Sequence, residues 1–218
     1  MIFLHRQNDP KNIQFNNING IEIDIRSLGS NLIVTHDRFY STDFENIDDC
    51  ILLQDVAKYL RDYSVIVNVK ESGLEEQISD ILDEFGSIKY YFLDSQIPDI
   101  LRLSKQEKYR GKFIIRVSDY ETLNYKFLSH CQPEFIWVDY NFSNFDNSKI
   151  LEYIKFLKDI DSNEYLNQNG IKKILVSPEL YGLQNINITS DIIKITNKEL
   201  LKKYSICTKL PDDWRKIV

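Results

Sequence analysis

The chain has 218 residues, 43% of them hydrophobic and 28% charged, which excludes disorder as its main state and supplies enough apolar side chains for a sizeable core. With 27 basic against 33 acidic residues the net charge is −6, whereas a general nucleic-acid binder carries a basic surplus. No run approaches about 18 apolar residues, so no integral membrane association is expected, and the apolar start is too short for a secretory leader. Cys50, Cys131 and Cys207 are far apart and lack metal-ligand spacing. They read as reduced thiols of a cytoplasmic protein.

In chain order, short β-branched runs predict strands at Met1–His5, Gly20–Arg26, Ser64–Lys70, Lys89–Ser95, Lys112–Ser118, Glu134–Tyr140, Lys172–Ser177 and Ser205–Lys209. Most are continuously apolar, as suits parallel strands covered on both faces. The alternating stretch Asn31–Asp37 follows the second strand after Ser27-Leu28-Gly29-Ser30 and predicts a hairpin. Helical spacing predicts helices over Leu52–Asp62, Gly73–Phe85, Pro98–Lys105, Tyr120–His130 and Ser148–Leu166. In Asp191–Tyr204, Ile-Ile-Lys-Ile-Thr favours strand and Lys198–Lys203 favours helix. There is no linker, repeat or low-complexity tract, so residues 1–218 read as one domain. Eight strands alternating with helices imply βαβ units, and eight units imply a compact α/β fold, the (β/α)₈ barrel. An open doubly wound sheet is the alternative, but no Gly-rich fingerprint follows the first strand.

A barrel carries its functional side chains at the C-terminal ends of its strands. The first strand ends in His5-Arg6, the second in Glu22-Ile23-Asp24, the hairpin in His36-Asp37 and the third in Asn68-Val69-Lys70. Alternation points Glu22 and Asp24 to one side, and Asn68 and Lys70 likewise. Two inward carboxylates demand a cation, and their hard oxygens suit Mg²⁺ or Ca²⁺; ion pairing with Arg6, Arg26 or Lys70 is the alternative. His5 and His36 are two of only three histidines and suit proton transfer near neutral pH. A divalent ion, two histidines and two cations meet the needs of phosphoryl chemistry.

These motifs resemble the glycerophosphodiester phosphodiesterase family, whose His-Arg-Gly, Pro-Glu-Asn-Thr, Glu-x-Asp, His-Asp and Glu-x-Lys run in the same order. The matching stretches here are His5-Arg6-Gln7, Pro10-Lys11-Asn12-Ile13, Glu22-Ile23-Asp24, His36-Asp37 and Asn68-Val69-Lys70, and Thr208-Lys209-Leu210-Pro211 is similar to the last-strand signature. The middle of the chain matches only in strand rhythm. The resemblance implies His5 and His36 as the acid-base pair, Glu22, Asp24 and Asn68 as metal ligands, and Arg6 and Lys70 as phosphate ligands. It implies hydrolysis of a glycerophosphodiester or related small phosphodiester, in lipid metabolism. The alternatives are a cyclising lyase that releases a cyclic phosphate and a catalytically degenerate barrel that only binds phosphate ligands. Gln7 replaces a glycine, which predicts a different path for the first loop. Asn68 replaces a glutamate, which weakens the metal site by one charge, with Asp37 and Glu71 as nearby acids.

Four further strand ends carry candidates. Trp137, with Asp139, is read as a stacking wall of the pocket, the alternative being a core tryptophan. Glu179, with Ser177, is placed to touch substrate, the alternative being a helix cap. Arg116 is read as meeting an anion or pairing with Asp94. His130, in a helix with no partner motif, is read as structural.

Overall fold

The computed structural model describes residues 1–12, 18, 20–39, 49–142, 149–181, 196 and 198–217. Ile13, Ser148 and residues 191–195 lie outside the described residues. The apolar runs form β1 (Ile2–Leu4), β2 (Gly20–Leu28), β4 (Ser64–Val69), β5 (Lys89–Leu93), β6 (Ile115–Val117), β7 (Phe135–Val138), β8 (Lys172–Val176) and β9 (Ser205–Thr208). All eight are parallel, in the order β5-β4-β2-β1-β9-β8-β7-β6. Between β5 and β6 the Phe92–Phe113 bridge joins the two ends, with the Phe92 N–H donating to Lys112 O and the Ile114 N–H to Phe92 O, both at 2.8 Å. The result is a nearly closed (β/α)₈ barrel, as the strand rhythm predicts.

The predicted hairpin is β3 (Asn31–Val34), antiparallel to β2 with Leu28 opposite Asn31. Its two-residue turn needs a positive φ, which Gly29 supplies at +62°. Gly20 has a different reason to be glycine. It sits opposite Phe3 in the β1–β2 ladder, and a Cβ there would lie 2.3 Å from the Phe3 ring.

Side chains on the inward phase fill the barrel floor: Phe3, Ile66, Tyr91, Phe135, Trp137, Ile174 and Cys207 form one buried cluster. The outward phase packs under the helices. Helix α2 (Glu75–Glu84) buries Ile78 and Leu82 completely, each contributing about 1.5–3 kcal/mol. Helix α1 (Leu53–Ala57) is shorter than its pattern, because Tyr59 and Leu60 bond back to the third residue before them in a tighter turn. Helix α3 spans Ile97–Leu103. Helix α4 (Tyr125–Cys131) starts later than expected, where Asn124 accepts from Phe127 N and caps it. The stretch 148–166 is expected as one helix but divides into α5 (Lys149–Asp161) and α6 (Glu164–Gln168). Asn163 is the cause: its side chain accepts from Leu166 N and starts a new helix. Helix α7 (Lys198–Leu201) settles the helical half of the ambiguous stretch. A short α8 (Pro211–Arg215) follows β9 and buries Trp214, whose indole donates to Ser177 Oγ at 2.7 Å. Among the described residues no helix is long and apolar enough to cross a membrane.

Candidate active site

The C-terminal ends of β1, β2 and β4 bring most of the expected residues to one mouth of the barrel. Period-two alternation aims Glu22, Asp24 and Asn68 inward above the apolar floor, where they are 1%, 0% and 6% exposed. The ladder sets Asp24 beside Asn68, whose amide nitrogen donates to Glu22 Oε1 at 3.0 Å. Lys70 continues the inward phase and pairs with Asp24 at 2.9 Å, the ion-pair alternative for that carboxylate. His5 follows β1 and places Nε2 3.6 Å from Glu22 Oε2. The same Glu22 oxygen accepts from Cys207 Sγ at 3.5 Å.

Arg6 adopts φ +52°, an uncommon conformation for a residue with a side chain. The turn is held by Gln7, whose N–H donates to Glu22 O at 2.7 Å and whose side chain donates to His5 O at 3.1 Å. The arginine then reaches His36 Nε2 at 2.5 Å. A guanidinium has no acceptor, so Nε2 carries the lone pair. The proton therefore sits on Nδ1, which donates to Asp37 at 2.7 Å. That bond holds the Asp37 carboxyl below its ordinary range.

Burial dominates the electrostatics. It pushes Glu22 up to about 7, reinforced by Asp24, while the bond from Asn68 and the charge of Lys70 pull the other way. Burial lowers His5 to about 3, with Arg6 and Lys209 adding to the effect. Burial and Glu22 together raise Cys207 well above an ordinary thiol, so it remains a neutral donor.

The signs make a test. Between pH 4.5 and 7 folded Glu22 keeps a proton that the unfolded chain has lost, so this group makes stability fall as pH rises. Between pH 3 and 6.5 the unfolded chain binds a proton that folded His5 rejects, so this group makes stability rise with pH. The two slopes oppose each other where the windows overlap. In chelator-treated protein, Glu22→Gln is expected to leave a net rise of the urea midpoint with pH across that overlap. A slope identical to the parent's would show that Glu22 is not perturbed.

Asn8 is a participant that the strand pattern did not reveal. Its Nδ2 donates to Asp24 Oδ2 at 2.8 Å and its Oδ1 accepts from Asp24 N at 2.9 Å, clasping the first loop to β2. Asn8 lies in a loop, where no periodicity announces an inward side chain. Cys207 was legible in principle, since it lies within the apolar run of β9 and belongs to the inward cluster. Asn8→Ala is expected to lower stability by about 2 kcal/mol in guanidinium unfolding, because hydrogen bonds to charged groups contribute about 1.5–3 kcal/mol.

Other candidates are placed elsewhere. Trp137 is 3% exposed and belongs to the barrel floor, the core alternative for that residue. Glu179 accepts from Ser177 Oγ, Thr208 Oγ1 and Lys209 N, tying the ends of β8 and β9 together. Glu71 accepts from Ser27 N at 3.1 Å and pairs with Arg26, so it does not join Glu22 and Asp24. Arg116 forks onto Asp94 at 2.7 and 2.8 Å and also bonds Asp139, the pairing alternative for that arginine. His130 contacts the Leu101 carbonyl at 3.2 Å.

Among the described residues no group of three or more His, Cys, Asp or Glu side chains is arranged to hold a metal ion. The oxygen donors at the mouth are two carboxylates and an amide. Asn68 Oδ1 is buried without a hydrogen-bond partner, and Lys70 is the ammonium paired with Asp24. An oxygen-seeking divalent cation fits that donor set, in competition with Lys70. No family model matches the chain, and no curated protein matches it.

Proposed function

We propose that the protein is a metal-dependent phosphodiesterase acting on a glycerophosphodiester or a related small phosphodiester. The observation that carries this reading is the convergence of His5, His36, Arg6 and Lys70 around Glu22, Asp24 and Asn68 at the C-terminal mouth of the barrel. Fold alone would not carry it. Arg6 and Lys70 bind the phosphate. When Arg6 swings from His36 to a phosphate oxygen, it frees His36 Nε2. His36, backed by Asp37, then takes a proton and donates it to the leaving alcohol. His5 stays neutral and accepts a proton from the attacking water, its basicity raised by the arriving anion. Glu22, Asp24 and Asn68 Oδ1 would hold a divalent ion, which would supply charge neutralisation to the phosphate. Three free thiols suit a reducing cytoplasm.

A second reading has its own support. The Asn68 amide on Glu22 and the Lys70 ammonium on Asp24 satisfy both carboxylates from within, as a barrel that only binds phosphate ligands would need. Phosphorus NMR with a panel of glycerophosphodiesters, in Mg²⁺, Ca²⁺ or chelator, separates the readings. A phosphomonoester signal that requires metal and His5 supports the hydrolase. A cyclic phosphate supports a cyclising lyase. Absence of turnover together with absence of divalent binding supports the binding barrel and removes the enzyme.

A further inference from the structure

Helices α3 and α4 leave between them a cleft of about 1110 Å³. Its walls are mainly apolar, with Ile97, Ile100 and Leu101 on one side and Leu123 and Phe127 on the other. Its floor is the four consecutive residues Ile114 to Val117. Neighbouring residues of a strand face opposite ways, so the cleft touches both faces of β6. Ile114 belongs to the barrel-floor cluster, while Ile115 packs against the outer ones. The cleft thus runs along the seam where a single bridge, Phe92–Phe113, joins β5 to β6. Asp94 and Arg116 border it, and their ion pair spans the same seam.

The seam lies close to the mouth. Leu93 of β5 pairs with Asn68 of β4. Adjacent strands are about 4.8 Å apart, so β6 is roughly 10 Å from Asn68, a span that an alkyl chain bridges. The charged lining cancels, with Asp94 and Glu121 against Arg116 and Lys126, and offers no net attraction to an ionic ligand. Ile97 and Leu101, four apart on α3, leave the lip 60% and 37% exposed. A narrow apolar slot that reaches a strand between two helices suits a chain better than the flat face of a folded partner.

We propose that this cleft holds a long apolar chain carried by one arm of the phosphodiester, so that the substrate is an amphiphile rather than a diester of two small polar alcohols. The inference rests on the phosphodiesterase reading of the mouth for its phosphate end. Calorimetric titration with ethyl phosphate and with dodecyl phosphate below its micellar concentration tests it, because the two probes share a head group. Dodecyl phosphate is expected to bind at least about 50-fold tighter, the effect of burying roughly three methylenes. Ser129→Trp, an exposed position that fills the cleft, and the lip variant Ile97→Glu with Leu101→Glu are both expected to abolish that preference. His5→Ala is expected to keep it. Equal affinity for the two probes, or a preference that survives both cleft variants, overturns the proposal. A chain-length preference in a protein that turns over no diester upholds the apolar-chain site and removes the phosphodiesterase reading instead.

Discussion

Lys70→Met is expected to lower the stability of the metal-free protein by about 3 kcal/mol, the low end of what breaking one side of a buried ion pair costs. Asp24 is fully buried, and its charge is compensated by the Lys70 ammonium at 2.9 Å. Without that ammonium the carboxylate keeps only the bond donated by Asn8 Nδ2. In a chain of this length the loss corresponds to a fall in Tm of about 6–12 °C. Adding Asp24→Asn should recover most of the loss, since an amide needs no counter-charge and can keep its partnership with Asn8. The double-mutant cycle therefore reads the coupling directly. The variant also reports on the cation: Mg²⁺ or Ca²⁺ should raise the Tm of Lys70→Met more than that of the parent, because the competing ammonium is gone. No difference between the two proteins would remove Asp24 from the proposed ligand set.

The second large effect separates the histidines by role. General acid-base groups contribute about 10²–10⁴ in rate, so His5→Ala and His36→Ala should each lower kcat on an alkyl diester by about 10³. With a nitrophenyl leaving group, which departs without a proton, His36→Ala should lose about 10-fold or less while His5→Ala keeps its full defect. The proposed division of labour rests on the surroundings of the two rings. His36 is half-exposed and backed by Asp37, which stabilises an imidazolium, whereas His5 is desolvated and driven down to about 3. Equal defects on both substrates would reject the division of labour.

Much of this was legible along the chain. The strand rhythm and continuous apolar runs announce parallel strands, and counting them announces a barrel. The period of two tells that Glu22 and Asp24 share a face of their strand, and that Asn68 and Lys70 share one of theirs, because side-chain direction in a strand is a local property. The pairing of opposite charges was also foreseeable in outline, since Arg116 and Asp94 end neighbouring strands.

Other features were decided only by tertiary structure. Whether Lys70 faces Asp24 or a ligand depends on the β2–β4 register, which aligns Asp24 with Asn68 and brings Lys70 within reach. Trp137 and Arg116 stand side by side in the β6–β7 ladder, yet one belongs to the floor and the other to a cross-strand fork. The Asn8 clasp joins a loop to a strand sixteen residues away. The division of α5 from α6 turned on one asparagine whose side chain outcompeted an apolar stripe. Periodicity records which way a side chain leaves its own backbone. Partners across strands and loops are set by register and by the closure of the sheet, and those are properties of the assembled barrel.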